Sequence, residues 1–455
     1  MLRRNHKFDE VNLDYSDIRP RNFEKYYLTR NPFPAIAVTE EIPKIFVDRE
    51  SLMKTVANVT RDAYTTRKSH SIVIEGSYGN GKSHTLKYIK YKINSQLSGQ
   101  PIGQRAIAAY LQSPGGSLVD LYSTIVEDLG ADFLKKIAIS LLSLRLGSGE
   151  LVKYTSDAQV KKRIESLAPR IKEQPELIES VLTSATFQTI EMFRAAIDSL
   201  HNDVRFPDFL MALFYLVAQD ERSIIAWRWL LAEHLSKDER HSVSVEQQIE
   251  DSNSALRAFQ ALRTCLKLAG YVVLYMLQDE FEKISELHPL RTSRYYDDLR
   301  HLIDQNLEGI CLISCVTPTG WAEMYAGGHP LVRRLMGNVA WLDPFDEDQT
   351  RRLIEAYIGS AREEFFAKNE QLRNTLLKEL KTHYKAFGAD LFPFNKESVH
   401  AIYEGTRGNI SDILTACGTL LNEGADRKFV VFDNSKKVKE IVHFTTATRS
   451  PEAKA

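Results

Sequence analysis

The segment at residues 76–83, G-S-Y-G-N-G-K-S, constrains this chain more than any other stretch. An apolar run at residues 71–75 precedes it, and residues 84–89 continue with helical character. A G-x-x-x-x-G-K-[ST] pattern between a strand and a helix is typical of a phosphate-binding loop, or P-loop. Its glycines allow successive backbone N–H groups to surround a phosphate, and the helix N-terminus adds partial positive charge. The sequence therefore predicts a nucleotide site in preference to an ordinary glycine-rich turn.

Two residues of this P-loop have distinct predicted roles. Lys82 is expected to bridge the terminal phosphates of ATP, and the hydroxyl of Ser83 is expected to ligate Mg²⁺. ATP and Mg²⁺ are therefore the predicted ligands. The other candidate nucleotide-binding residues are Gly76, Ser77, Tyr78, Gly79, Asn80, Gly81 and His84.

A second motif follows the apolar run at residues 271–278, which predicts a strand buried on both faces of a parallel sheet. Asp279 and Glu280 come directly after this run, at the strand end where ligands bind in open α/β sheets. Asp279 is predicted to hold Mg²⁺, usually through water, and Glu280 to orient and deprotonate the attacking water. The alternative is a strand that ends in a solvated turn.

Three further candidates lie later in the chain. Thr317 follows a predicted strand at residues 310–316, where its hydroxyl could contact the γ-phosphate or the attacking water, or could cap the next turn. Arg333 and Arg334 are predicted on a helix or turn. One of them could reach the γ-phosphate of a neighbouring subunit as an arginine finger, while the alternative is a pair of solvated surface side chains.

Composition narrows the class of protein. The 455 residues are enough for two or three domains, and 59 basic against 60 acidic side chains give no global attraction to nucleic acid or membrane. Any contact with DNA must therefore come from a local patch. The four cysteines show no C-x-x-C spacing, which predicts reduced core thiols and no metal site of cysteine ligands.

The chain shows no targeting or membrane pattern. No apolar segment follows the charged residues at the N-terminus, so no signal peptide is predicted. No apolar run approaches the roughly 18 residues of a membrane span. We expect a soluble, cytoplasmic protein without a membrane partner.

The order of predicted elements indicates an α/β fold, a parallel-sheet P-loop NTPase core with a large helical insertion and a C-terminal helical lid. Apolar residues recur at three- and four-residue spacing through the insertion, whereas residues 106–111 form a second predicted strand. A turn at residues 31–34 and a helix entry at residues 46–52 form a pattern associated with adenine binding, and the alternative is a loop followed by a capped helix. The predicted divisions are an N-terminal arm and adenine-side segment at 1–65, the core at 66–345 with its insertion at about 118–268, the lid at 346–425, and a short strand with a polar tail at 426–455.

This arrangement resembles an AAA+ ATPase, with its nearest similarity to the origin-recognition, transposition-ATPase and STAND group. A narrower resemblance is to the ATP-binding proteins of BREX phage-exclusion loci, whose members share an R-W-L-x-G-E, A-G-Y, D-E-x-E, L-R-x-x-x-D progression. The matching segments here are R-W-L-L-A-E at 228–233, A-G-Y at 269–271, D-E-F-E at 279–282 and L-R-H-L-I-D at 299–304. The resemblance is expected to run from about residue 31 to 420.

The chain departs from these patterns at two places. Ala232 stands where the family tends to have glycine, and the predicted lid has G-N-I-S at residues 408–411 where related ATPases often have G-N-P-R. The lid arginine is then either Arg407 or absent.

The resemblance implies an ATPase that hydrolyses ATP in defence against phage DNA, as part of a multi-protein assembly. It implies other defence-system proteins as partners and a homo-oligomer in the presence of ATP, and it leaves duplex DNA as a possible further partner. Two alternatives stay open, a STAND-like ATP switch with slow turnover and an ATP-dependent DNA-binding loader or transposition regulator.

Overall fold

The computed structural model describes residues 21–34, 45–182, 186–304, 308–335, 337–383, 390–426, 432 and 436–447. The chain divides into two compact units, one formed by Met1–Thr39 with Pro344–Ala455 and the other by Glu40–Asp343. Among the described residues, no helix combines the length and the apolar character that a membrane span requires.

A five-stranded parallel sheet organises the larger unit, so the predicted α/β class is confirmed. Its strands are listed here in chain order: β1 (His70–Gly76), β2 (Arg105–Leu111), β3 (Tyr271–Gln278), β4 (Ile310–Val316) and β5 (Val339–Leu342). Their order across the sheet is β2-β3-β4-β1-β5. Because β4 lies between β1 and β3, the residues after these three strands meet at one edge of the sheet.

Apolar side chains cover both faces of this sheet, as the continuous apolar runs predict. On one face, Ile72 and Ile74 of β1 pack in a core with α1 (Glu50–Thr66) and α2 (Lys82–Gln96). On the other face, Val73 belongs to a larger core with the helices that follow β2. Both faces of the sheet are therefore covered by packed helices.

Helices fill the described part of the chain between β2 and β3. They are α3 (Leu118–Leu129), α4 (Ala131–Gly147), α5 (Ala158–Glu173), α6 (Leu177–Val181), α7 (Phe187–Leu200), α8 (Pro207–Tyr215), α9 (Glu221–Leu230), α10 (Lys237–Ser242) and α11 (Ser252–Leu268). Their amphipathic spacing buries side chains such as Phe193, Phe214 and Trp229 in the shared core. The helical character predicted from apolar spacing is present, while a role for the segment remains a prediction.

Three more helices follow in the larger unit, α12 (Pro289–Asp304), α13 (Pro318–Ala326) and α14 (Pro330–Leu335). Strand β5 was not expected from the sequence. Its apolar run, V-A-W-L, has only four residues and is too short to indicate a strand by itself, and Trp341 within it is exposed. All four cysteine side chains are buried.

The smaller unit is helical in its described residues. Its helices are α15 (Glu347–Lys368), α16 (Arg373–His383), α17 (Lys396–Thr406), α18 (Ile410–Asp426) and α19 (Lys436–Ala447). The segment at residues 31–34 lies in this unit, where Phe33 stacks on Tyr357 with ring centroids 5.5 Å apart. Asn31 donates hydrogen bonds to the Gly418 carbonyl and to Asn422.

The C-terminal segment differs from its prediction. In the short strand predicted within residues 426–455, residues 429–431 lie outside the described residues, and Phe432 forms an isolated parallel bridge with Phe394. Residues 436–447, expected in a polar tail, form α19 because Val438 and Val442, one helical turn apart, are both buried.

Candidate nucleotide-binding site

The P-loop backbone adopts a conformation that its glycines permit. Gly79 and Gly81 have φ angles of +82° and +86°, in the left-handed region that favours glycine. At Gly76, an added Cβ would lie 2.8 Å from the Cβ of Leu342, so the strand end requires a residue without a side chain. The loop at residues 76–83 therefore lies between β1 and α2, in the order of strand, glycine loop and helix that the motif predicts.

Lys82 is buried inside this loop, with 8% of its surface exposed. Its Nζ donates hydrogen bonds to the carbonyls of Gly76 at 2.8 Å and Ser77 at 3.3 Å, and lies 4.9 Å from the centroid of the Tyr78 ring. Burial lowers the pKa of Lys82, and the nearby Glu282 carboxylate opposes this shift. The ammonium group is thus held at the centre of the loop, where phosphate oxygens could replace the carbonyls.

Arg49 and Asn80 fasten the loop to the end of β5. Asn80 Nδ2 donates to the Leu342 carbonyl at 2.9 Å, while Arg49 donates to the carbonyls of Asp343 at 3.0 Å and Asn80 at 3.4 Å. Burial lowers the pKa of Arg49 to about 10. The sequence pattern placed Arg49 near the nucleotide, but this bracing role was not predicted.

Ser83 and Asp279, the two predicted Mg²⁺ ligands, are brought together by Tyr110. Asp279 is 2% exposed, and its Oδ2 accepts a hydrogen bond from the Tyr110 hydroxyl at 2.9 Å. The same hydroxyl interacts with the Ser83 side chain. Burial and the Asp279 carboxylate both raise the pKa of Tyr110, so this hydroxyl keeps its proton and acts as a donor. Sequence reasoning missed Tyr110, although it is the last residue but one of β2 and strand ends line such sites.

Glu280 forms an ion pair outside this group. Its backbone has a φ of +49°, an uncommon conformation for a residue with a side chain. Its Oε2 forms an ion pair with Lys283 Nζ at 2.5 Å, and both side chains are partly exposed. The predicted proton acceptor is therefore adjacent to Asp279 in sequence but paired on the surface.

Thr317 is buried directly after β4, between the ends of β1 and β3. Its Oγ1 accepts a hydrogen bond from Gly320 N at 3.2 Å and so caps the start of α13. This is the capping alternative predicted from the sequence. Strand β4 also contacts the P-loop helix, since Cys315 Sγ lies 3.9 Å from the Lys82 carbonyl oxygen.

Aromatic side chains flank the first turns of α2. Phe46 stacks on Tyr88 with ring centroids 4.0 Å apart, and its ring is also nearly parallel to that of His84. A ring nitrogen of His84, Nε2, lies 2.7 Å from the Ile45 carbonyl oxygen. Burial lowers the pKa of His84, which favours the neutral ring and a hydrogen bond donated to that carbonyl.

The three arginine candidates have different surroundings. Arg333 is exposed on α14, whereas Arg334 forms an ion pair with Asp304. Arg407 belongs to the smaller unit, where it is exposed and ends α17 with a φ of +51°. Of the predicted site residues, the structure brings Lys82, Ser83 and Asp279 together. Arg333 and Arg334 differ from each other, because Arg334 forms an ion pair with Asp304.

Part of the chain matches a model of a known protein family. Residues 160–347 match the family model described as "BREX system ATP-binding protein BrxC/D". This range is shorter than the resemblance expected from the motifs; it contains Asp279, Glu280 and Thr317 but not the P-loop. No curated protein and no solved structure matches the chain. The resemblance predicted from the motifs is confirmed over this range, and residues 160–347 make the chain similar to the BrxC/D ATP-binding proteins of BREX systems.

Proposed function

We propose that this protein binds ATP with Mg²⁺ and hydrolyses it as a component of a BREX-like defence system against phage. The observation that carries the proposal is the convergence of Lys82, Ser83 and Asp279 at one edge of a parallel sheet, on a loop with P-loop geometry. The match to a family of ATP-binding proteins supports the same ligand.

The residues at this edge fit a magnesium nucleotide. The Ser83 hydroxyl and the Asp279 carboxylate are hard oxygen donors of the kind that Mg²⁺ prefers, and Tyr110 already holds them near each other. When bound there, Mg²⁺ would neutralise charge on the phosphate oxygens. Lys82 would exchange its two carbonyl partners for phosphate oxygens, with which an ammonium forms stronger charge-assisted hydrogen bonds.

In hydrolysis, we assign Glu280 to accept a proton from the attacking water. To do so, its side chain must leave Lys283. Because that ion pair is partly exposed, breaking it costs at most about 1 kcal/mol. We assign Thr317 to contact the γ-phosphate or the same water, after its cap to α13 is released.

The ion pair of Glu280 with Lys283 favours a second candidate, an ATP switch with slow turnover. In such a protein, ATP would be held by the P-loop while Glu280 reaches the water only after a partner binds.

We further propose that the protein acts with other defence-system proteins and DNA, as a homo-oligomer when ATP is present. The helices α3–α11 are the segment proposed for partner contacts, because the nucleotide chemistry does not require them.

Two substitutions test the proposal. Lys82→Ala should abolish ATP binding, because it removes the buried cation that the triphosphate requires, whereas Lys68→Ala at an exposed lysine before β1 should not. Glu280→Gln should retain ATP and slow hydrolysis by roughly 10²- to 10⁴-fold. The measurements are binding of a fluorescent ATP analogue and phosphate release, with and without duplex DNA.

The outcomes separate the candidates. ATP binding that survives Lys82→Ala would contradict the nucleotide site. Slow wild-type hydrolysis that neither DNA nor Glu280→Gln changes would favour the switch, and rapid hydrolysis by Glu280→Gln would overturn the assignment of the proton acceptor.

A further inference from the structure

Glu282, two residues after Glu280, is a buried acidic residue with an unexplained position. It lies in the short 3-10 helix Phe281–Glu286 with 9% of its surface exposed, and its Oε2 has no hydrogen-bond partner among the described residues. A buried carboxylate oxygen without a donor costs free energy, so its presence requires an explanation, of which a catalytic role is one. The neighbouring Glu280 is instead paired at the surface.

Close packing holds Glu282 against the start of α13. A Cβ added at Gly320 would lie 2.4 Å from the Glu282 Cβ and 2.9 Å from the Thr317 Oγ1. Gly320 therefore allows the 3-10 helix to approach Thr317 more closely than a residue with a side chain would. Glu282 and Thr317 thus share one small region after β3 and β4.

The charge of Glu282 also affects Lys82 in the P-loop. Among the carboxylates near Lys82, Glu282 raises the pKa of that lysine most, ahead of Asp279 and Glu280. The charge of the Glu282 carboxylate therefore acts on the ammonium group of the P-loop lysine. These two described residues form no direct ion pair, because Lys82 donates to the P-loop carbonyls.

We infer that Glu282 is a second catalytic carboxylate of this site, which accepts a hydrogen bond from the attacking water. The inference rests on the proposed ATP hydrolysis. Water has two O–H groups, so one can transfer its proton to Glu280 while the other is oriented by Glu282. The water oxygen then bonds to the γ-phosphorus, the bond from that phosphorus to the bridging oxygen breaks, and its electron pair stays on ADP.

Substitutions can distinguish this orienting role from that of a proton acceptor. An orienting acceptor needs only an oxygen, so Glu282→Gln should retain most of the turnover, within about tenfold of wild type. Glu282→Ala removes the acceptor and should lower turnover by roughly 10²-fold, the effect of losing precise orientation. Glu280→Gln, in contrast, should lose the larger factor expected for a proton acceptor.

Two readouts do not depend on hydrolysis. Glu282→Ala removes a negative charge beside Lys82, so its affinity for ATP should equal or exceed that of wild type. It also removes a buried oxygen without a donor, so the thermal unfolding temperature of the nucleotide-free protein should not fall. A purely structural glutamate would give a lower unfolding temperature in the Ala variant.

The experiment compares wild type, Glu282→Ala, Glu282→Gln, Glu280→Gln and Lys82→Ala by single-turnover ATP hydrolysis, ATP affinity and thermal unfolding. Glu286→Gln, at an exposed residue of the same 3-10 helix, is the matched control and should behave as wild type. Lys82-dependent hydrolysis with wild-type turnover in Glu282→Ala would overturn this inference alone. So would equal losses in the Ala and Gln variants, or a joint loss of affinity and stability. Absence of Lys82-dependent hydrolysis in wild type would instead overturn the proposed function, and this inference with it.

Discussion

Individual side chains at the P-loop depend on partners that the motif itself does not specify. Arg49 joins the loop to the residue after β5, and Tyr110 joins Ser83 to Asp279 from β2. Each of these residues is buried enough for its pKa to shift, so each is part of the packed structure as well as of the site. The P-loop is therefore positioned by residues far from it in sequence.

His84 gives a prediction about pH at this scale. Burial lowers the pKa of His84, so the folded protein binds a proton there less readily than the unfolded chain does. The resulting contribution to stability is complete above the ordinary histidine value of about 6.5. It falls as the pH drops below that value, by at most about 1.4 kcal/mol per pH unit for one proton.

The urea-unfolding midpoints of wild type and His84→Gln at pH 7.5 and 5.5 test this linkage. Wild type should lose more stability than the variant between the two pH values. His241→Gln, at an exposed histidine, serves as the control and should follow wild type. A His84→Gln variant as acid-sensitive as wild type would show that the ring titrates normally.

At the scale of elements, Gly408 between α17 and α18 fixes how the smaller unit's helices meet. Its φ is +76°, and an added Cβ would lie 1.9 Å from the Phe345 carbonyl oxygen. Phe345 N also donates to the Gly408 carbonyl at 2.9 Å. Gly408→Ala should therefore destabilise this unit by about 1–3 kcal/mol or more.

Gly359 provides the matched comparison. It lies inside α15, and a Cβ there would meet no atom within 4 Å. Gly359→Ala should stabilise the helix by about 0.5–1 kcal/mol. Urea unfolding of both variants, followed by far-ultraviolet circular dichroism, measures the contrast, and a neutral Gly408→Ala would contradict the close approach to Phe345.

Local sequence pattern predicted the strands that contain a contiguous apolar run. The apolar runs of β1, β3 and β4 and the P-loop between β1 and α2 were identified because each signal is contiguous in sequence. Strand β5 was not predicted, because it is its pairing with β1, and not its own four residues, that makes it a strand. The sequence did not identify Tyr110 and Glu282 as site residues for a related reason. The contact of Tyr110 with Asp279, and the position of Glu282 near Thr317, depend on how separate elements pack.

At the scale of the whole molecule, the segment similar to the BrxC/D family and the P-loop occupy different parts of the chain. The match begins within α5 and ends at residue 347, so it contains β3, β4 and β5 but not β1. The acidic residues after β3 therefore lie in the segment that matches the family model, whereas the P-loop is identified by its sequence motif alone. Their shared sheet edge is what supports a single site.

Assembly gives the last prediction. The P-loop itself contains one cation, Lys82, and hydrolysis of a triphosphate usually needs a second positive charge in the transition state. Arg333 is exposed on α14 and suits that role, because a guanidinium remains charged and grips phosphate oxygens in pairs. Arg334 is paired with Asp304, which makes it the weaker candidate.

If Arg333 completes the site of a neighbouring copy, the ATPase rate per subunit should rise with protein concentration. Arg333→Ala should lower turnover by roughly a thousandfold or more while ATP binding persists, and Arg334→Ala should have the smaller effect. Mixing Arg333→Ala with Lys82→Ala should restore partial activity, because the first supplies an intact P-loop and the second an intact arginine. Concentration-independent turnover without recovery on mixing would mean that Arg333 is an ordinary surface residue, and the second positive charge would then have to come from the same chain.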